Sequence, residues 1–401
     1  MRSKLRVIPC LILLLPLDLI VAIGILLAQI FPSSQRRGGA KREPDRAKPQ
    51  KKPRRDGQFG VNVSAGLTTP SAPSAQIPLL CEEGNVVATI VILNFDGKHL
   101  LAECLPAVIE AVKYAGGKHE VLVVDNGSAD GSVQFVQDNF PGVRILALDR
   151  NYGFTGGNNH AANRIDTDII VFLNNDMVVD RGFLQPLLDP FSDPSVFAVT
   201  SQIFFSDQTR RREETGKTRA RFGRGFFYFW HDAIGPEDEN LETLPVLWAG
   251  GGSCAIDRRK FLAIGGFDPL YHPFYFEDTD VSYQAWKRGW KCLLAPASRV
   301  IHKHRATTKA KFSNRFVELM VRKNQYLFTW KNVTDSAMIF QHLRNLPRIH
   351  ARGMVQYGPL FEAHAFVRAV QQLPQALAKR LSNLSCYAIP DREVLARSQK
   401  S

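Results

Sequence analysis

The chain has 401 residues, 45% of them hydrophobic, and its 51 Lys and Arg against 38 Asp and Glu give a formal net charge of +13. This is enough apolar material for one large core with appendages, but the charge does not make a nucleic-acid binder: the basic residues gather between Ser33 and Gly60 and again after Arg299, with no run of interleaved aromatics. Cys10, Cys81, Cys104, Cys254, Cys292 and Cys386 have neither Cys-x-x-Cys nor Cys/His spacing, which argues against a zinc module or a disulfide framework and for reduced thiols.

From the N-terminus, Val7 to Phe31 is rich in Leu and Ile and long enough to span a bilayer, with Pro9, Pro16 and Asp18 as interruptions. It is longer than the apolar part of a signal peptide, and no small-x-small cleavage site follows it. Arg2, Lys4 and Arg6 precede it, and a denser group of Lys and Arg follows between Arg36 and Arg55, so the positive-inside rule puts the C-terminal side in the cytoplasm. The expectation is a single-pass membrane anchor over 1–32 carrying a cytoplasmic domain. Residues 33–84, rich in Pro, Ser, Gly, Lys and Arg without periodicity, read as a disordered basic linker able to lie on anionic headgroups.

Patterned sequence begins near Val86. Val86–Leu93, Val121–Val124 and the run from Ile169 are apolar strands that end in polar residues: Asn94, Phe95 and Asp96; Asp125, Asn126 and Gly127; Asn174, Asn175 and Asp176. Helical patterns over Leu100–Tyr114 and Ser128–Phe140 have the length of right-handed crossovers. The fold class is therefore α/β, with a mostly parallel central sheet, flanking helices and its chemistry at one polar rim. An aspartate just beyond a dry strand, as Asp176 is, suits a hard divalent cation held against nucleotide phosphates; an Asx turn is the plain alternative.

Asn151, Gly153, Gly156, Gly157 and Asn158 open the next helix. Glycines there allow close backbone approach, and the helix start favours an anion or a ribose hydroxyl, although the spacing is not that of a dinucleotide-binding loop. Phe204–Glu242 has no secure periodicity and reads as a mobile lid or acceptor loop. Trp248 suits either a sugar face or the core. Glu277, Asp278 and Asp280 open a helix whose dipole favours carboxylates, so capping and proton transfer are both open to them. His302 ends a strand, and His304 competes with it as a ligand. Ser336–Leu346 and Phe361–Leu381 carry apolar residues at helical spacing, suited to a membrane surface or to packing back on the domain.

Taken together, ILNFDG (Ile92–Gly97), VVDNGSADGS (Val123–Ser132), NYGFTGGNN (Asn151–Asn159), FLNNDMVV, GGFDP (Gly265–Pro269) and FEDTDVSYQAWKRGW (Phe276–Trp290) resemble a family 2 glycosyltransferase, and within it the bacterial rhamnosyltransferase-like branch. The likeness runs from Val86 to Trp330, giving a domain over 85–332 and a helical extension over 333–401. It implies a GT-A nucleotide-sugar-binding fold, a nucleotide-sugar donor, a divalent metal (Mg2+ or Mn2+) and inversion at the anomeric carbon.

By the same resemblance, Asn94, Phe95 and Asp125 contact the nucleoside, where an aromatic face and a carboxylate would read uracil or thymine. Asn151, Gly153, Gly156, Asn158, Asn175 and Trp248 are implied as further donor contacts, and Asp176 with His302 as the metal ligands. Asp278 is implied as the general base, with Glu277 and Asp280 supporting the acceptor. Only one carboxylate stands in the Asn174-Asn175-Asp176 motif, which predicts a weaker metal site unless another side chain joins. The implied substrate is a dTDP- or UDP-sugar, with dTDP-rhamnose the family-weighted choice. The implied acceptor is a hydroxyl of a glycan or lipid-linked molecule in cell-surface polysaccharide synthesis, and nucleic acid is not an expected partner. The rival reading is a catalytically inactive nucleotide-sugar-binding or scaffold protein at the membrane.

Overall fold

The structure, a computed structural model, describes residues 14–27, 86–116, 119–206, 215–303 and 312–400. The expected linker over 33–84, Cys10, Cys81 and His304 lie outside those residues.

The chain is helical over 14–27 (α1). The central region then runs β1 (Ala88–Asn94), α2 (Lys98–Ala115), β2 (Glu120–Asp125), α3 (Ser132–Asn139), β3 (Arg144–Ala147), α4 (Gly153–Ala162), β4 (Ile169–Asn174) and β5 (Met177–Val179). It continues through α5 (Leu184–Leu188), β6 (Val196–Phe205), β7 (Thr218–Gly223), β8 (Phe226–His231), α6 (Pro236–Glu239), β9 (Leu244–Pro245), β10 (Ser253–Asp257), α7 (Arg258–Ile264), α8 (Glu277–Lys287) and β11 (Lys291–His302). The C-terminal helices are α9 (Asn314–Asn332), α10 (Ser336–Tyr357), α11 (Pro359–Gln371), α12 (Leu373–Asn383) and α13 (Asp391–Arg397).

The first four strands of the sheet order, β3-β2-β1-β4, are parallel, as the alternation of apolar strands and crossover helices predicts. Register sets the rim: Asn94 pairs with Asp125, and Leu93 with Asn174, so three strand ends finish level. The other half departs from the expectation of a mostly parallel sheet. β10 runs antiparallel to both β4 and β6, β11 is parallel to β6 but antiparallel to β5 and β9, and the sheet is mixed. A short apolar run does not encode its direction, so nothing in those strands could have signalled this. β5 follows β4 after a two-residue turn yet sits beyond β10, β6 and β11 in the sheet, so the sheet curls to bring Asp176 round to β11.

The region expected to be a lid contains the β7–β8 hairpin, turned by Arg224 (φ 53°) and Gly225 (φ 81°), both left-handed as a tight hairpin turn requires. Phe226 and Phe227 are buried, and Phe227 packs edge-on against Tyr283 and Phe328. β8, FFYFWH, carries aromatics on two faces, which hides the period-2 signal; residues 207–214 of this region lie outside those described.

The C-terminal helices pack back on the domain. Arg322 of α9 forms a two-pronged ion pair with Glu362 of α11, with both contacts at 2.8 Å, and Tyr326 also donates to Glu362. This buried cluster extends to α1, where Asp18 Oδ1 lies 2.9 Å from His350 Nε2. A Cβ on Gly24 would stand 3.0 Å from Leu377 of α12, so α1 lies close on the extension. The expected transmembrane anchor is not supported: among the described residues no helix is long and apolar enough to cross a membrane. Asp18, an interruption in a spanning segment, is a docking group here because its partner sits on a remote helix.

Candidate active site

The level ends of β1, β2 and β4 form the floor of a cavity of about 780 Å³, whose wall includes Phe95, Asn126, Asn151, Gly153, Asn175 and Asp176. Its roof comes from the C-terminal helices through Phe316, Met320, Lys323 and Arg368. A buried polar chain supports the floor. Asn175 Nδ2 donates to Asn94 Oδ1 at 2.8 Å, and Asn94 Nδ2 donates to Asp125 Oδ1 at 3.2 Å. Asp125 Oδ2 accepts from the Ser128 backbone N–H at 3.0 Å. Asp125 is thus buried beneath the wall and aligns Asn94 and Asn175; it is not among the residues lining the cavity.

Asn126, which the sequence places at a strand end without a role, does line it. Its amide donates to Asn151 Oδ1 at 3.0 Å and to the Gly153 carbonyl at 3.1 Å, and its oxygen accepts from the Tyr152 N–H at 2.9 Å. All three of these bonds go to shaping the loop that opens α4. Gly153 has φ 70°, a conformation open to glycine at little cost. Gly156 and Asn158 are not cavity-lining: a Cβ on Gly156 would collide with Tyr152, and Asn158 is buried with an unpartnered Nδ2.

Asp176 and His302 meet because β5 and β11 pair with Met177 opposite His302. Both side chains are buried, Asp176 Oδ2 lies 3.2 Å from His302 Nε2, and Asp176 Oδ1 is buried without a hydrogen-bond partner. An orphaned carboxylate oxygen beside an imidazole, at the wall of a cavity large enough for an organic substrate, is a donor set that fits a divalent cation, with the remaining positions left for phosphate oxygens or water. Among the described residues no cluster of three or more His, Cys, Asp or Glu could hold a metal, so this pair supplies two ligands and no more.

The acidic cluster of α8 divides by environment. Asp280 is buried, accepting from Tyr271 Oη at 2.7 Å, Asn332 Nδ2 at 2.7 Å, Gln284 Nε2 at 2.8 Å and Lys331 Nζ at 2.6 Å. With four partners it ties α8 to α9, and the expected role at an acceptor does not fit it. Glu277 is buried with Oε2 unpartnered; burial, then the charge of Asp278, pushes its carboxyl up to about 8. Asp278 is half-buried and also raised by burial, against the opposing donation from Gly251 N–H at 3.1 Å and Thr279 N–H at 2.6 Å. Burial thus raises both carboxyls of the pair, and the charge of Asp278 adds to the rise at Glu277.

Asp278 is not a cavity-lining residue but stands directly behind the rim. A Cβ on Gly251 would lie 2.9 Å from Phe154 Cζ, on the cavity wall, and 3.7 Å from Asp278 Cβ. The same loop touches the metal side, since Gly252 accepts from the Asn174 N–H at 2.9 Å. Gly250–Ser253 thus bridges Asn174 and Asp278. Trp248, offered for sugar stacking, is buried and packs edge-on against Phe229 and His231.

Residues 89–264 match the family model described as Glycosyl transferase family 2. A "Putative polypeptide N-acetylgalactosaminyltransferase 10" of Drosophila melanogaster is 29% identical over 234 residues, covering 54% of this chain and 36% of that protein. The "N-acetylglucosaminyl-diphospho-decaprenol L-rhamnosyltransferase" of Mycobacterium tuberculosis is 27% identical over 247 residues, covering 51% of this chain and 78% of that one. The crystal structure of GalNAc-T7 with UDP, GalNAc and Mn2+ shares the fold at a TM-score of 0.52 and 19% identity, over 71% of this chain and 55% of that one. The match thus spans about a third of the fly protein's length and over three quarters of the mycobacterial one's.

Proposed function

Because the chain carries a family 2 glycosyltransferase domain, we propose that it transfers a sugar from a nucleoside-diphosphate donor to a hydroxyl of a glycan or lipid-linked acceptor, with inversion. The observation that carries this reading is the unpartnered Asp176 Oδ1 beside His302, on the wall of the cavity floored by the polar strand ends. Asp176 and His302 would hold the divalent cation, which when bound offsets the charge that grows on the departing diphosphate. Phe95 offers the base an apolar face, and the loop fixed by Asn126 and Asn151 lies where the donor's ribose and phosphates would sit.

Asp278 takes the proton of the attacking hydroxyl. As that oxygen bonds the anomeric carbon from one face, the bond to the diphosphate breaks on the other, and the donor's β-phosphate leaves with the electron pair. A base raised by burial stands nearer to neutral pH than an ordinary aspartate, which improves proton transfer. A protonated Glu277 keeps the second charge off the pair. A dTDP- or UDP-sugar, with dTDP-rhamnose first, and a role in cell-surface polysaccharide synthesis are the finer reading. They rest on the resemblance and on the mycobacterial relative's rhamnosyltransferase name.

The proposed location is a membrane surface with the catalytic domain in the cytoplasm. Support comes from the face of α1 turned away from the extension, where Leu15, Leu19, Ile20, Ile23, Leu26 and Leu27 are 45–61% exposed, and from the basic residues that flank it in sequence. Asp278→Asn tests the enzymatic reading. Donor affinity is expected to stay near normal while transfer falls about 10²–10⁴-fold; retained turnover removes Asp278 from the role.

A further inference from the structure

Lys323 of α9 is a buried cation on the roof of the cavity. Its Nζ is 3.1 Å from the His272 carbonyl and 3.1 Å from Gln372 Oε1, both neutral acceptors. Arg368 of α11 lines the same cavity, and its Nε donates to His364 Nε2 at 2.8 Å. Among the described residues neither side chain pairs with a carboxylate, whereas Arg322 pairs with Glu362, Lys331 with Asp268 and Asp280, and Lys287 with Asp391; buried Arg380, which does not line the cavity, donates instead to the Trp330 and Val333 carbonyls. Phe274, Phe312 and Phe316, packed ring against ring, line the same cavity as Lys323. A buried ammonium without a counter-charge is unfavourable, and burial, then the neighbouring Arg368 charge, lowers Lys323 to about 8.

We propose that Lys323 and Arg368 form a phosphate-binding subsite on the roof of the cavity, so that an anionic substrate group supplies the counter-charge that the protein withholds. The proposal rests on the transferase reading and deepens it. Both cations lie beyond residue 264, where the family match ends, so α9 and α11 would complete a substrate site rather than merely stabilise the domain. The phosphate can be the donor's diphosphate, gripped from the side opposite Asp176, or a phosphate carried by the acceptor.

The test uses the full chain with Mn2+ and titration calorimetry. Lys323→Met and Arg368→Gln are compared with wild type for UDP, dTDP and GDP, for the matching phosphate-free nucleosides, and for farnesyl diphosphate as an acceptor-like probe. Thermal melting reports on folding, and Lys323→Met is expected to melt no lower than wild type, because it removes an uncompensated charge. A loss of about tenfold or more for nucleotides, with nucleosides unchanged, supports the subsite and assigns the donor. The same loss for farnesyl diphosphate alone supports it and assigns the acceptor. Equal binding by well-folded variants overturns the subsite and leaves the transferase reading standing. Failure of wild type to bind any phosphate probe overturns both.

Discussion

Asp176 Oδ2 and His302 Nε2 lie 3.2 Å apart although 126 residues separate them in the chain, and the pairing of Met177 with His302 across β5 and β11 is what brings them together. With one carboxylate and one imidazole, metal affinity should depend heavily on each. Asp176→Asn and His302→Ala are expected to weaken Mn2+ binding by about tenfold or more, read by Mn2+ electron paramagnetic resonance titration. Unchanged titrations would move the ion elsewhere.

Glu277 gives a pH-dependent stability whose sign is fixed. The folded chain keeps this proton up to about 8, whereas the unfolded chain releases it near 4.5. From 4.5 to about 8 the unfolded state therefore binds fewer protons, and this group's contribution to stability falls as pH rises. Glu277→Gln removes that dependence. Relative to wild type, the variant should gain in denaturant midpoint progressively from pH 5 to pH 8, and a constant difference over that range would contradict the burial argument.

Asn324 holds the strained approach to α8. Tyr275 (φ 68°) and Phe276 (φ 82°) are consecutive left-handed residues immediately before Glu277. The Asn324 amide donates to the carbonyls of Tyr271, Phe274 and Tyr275 at 3.1, 3.1 and 2.9 Å. Asn324→Ala leaves these groups short of a donor at a cost of about 1–3 kcal/mol, and kcat should fall more than donor KM changes. An Asn324→Ala enzyme with wild-type kcat would show that the loop keeps its shape unaided.

The outward face of α1 predicts lipid binding. Burying an exposed Leu or Ile contributes about 1.5–3 kcal/mol, so Leu19→Asp with Ile23→Asp should abolish flotation with anionic vesicles while leaving the melting temperature close to wild type. Flotation unchanged by the pair would rule this face out as the contact.

The sequence by itself determined β1, α2, β2, α3 and β4, because buried parallel strands and crossover helices have strong periodicities, and it placed Asp176, Asn175 and Phe95 at strand ends and Asn151 at the start of α4, but short β3 carried no signal it read. It also found apolar helical spacing within α10, α11 and α12, though not α9 or α13. Tertiary structure decided the rest. Strand direction in the second half, the packing of the β7–β8 hairpin on Tyr283 and Phe328, and the seat of Asp18 on His350 depend on partners remote in sequence. So do the division of labour among Glu277, Asp278 and Asp280, and the arrival of Lys323 and Arg368 over the cavity. The carboxylate that accepts from the Gly251 loop, the one that burial pushes up and the one that locks α8 to α9 look alike on paper; burial and the neighbours that folding supplies make them different.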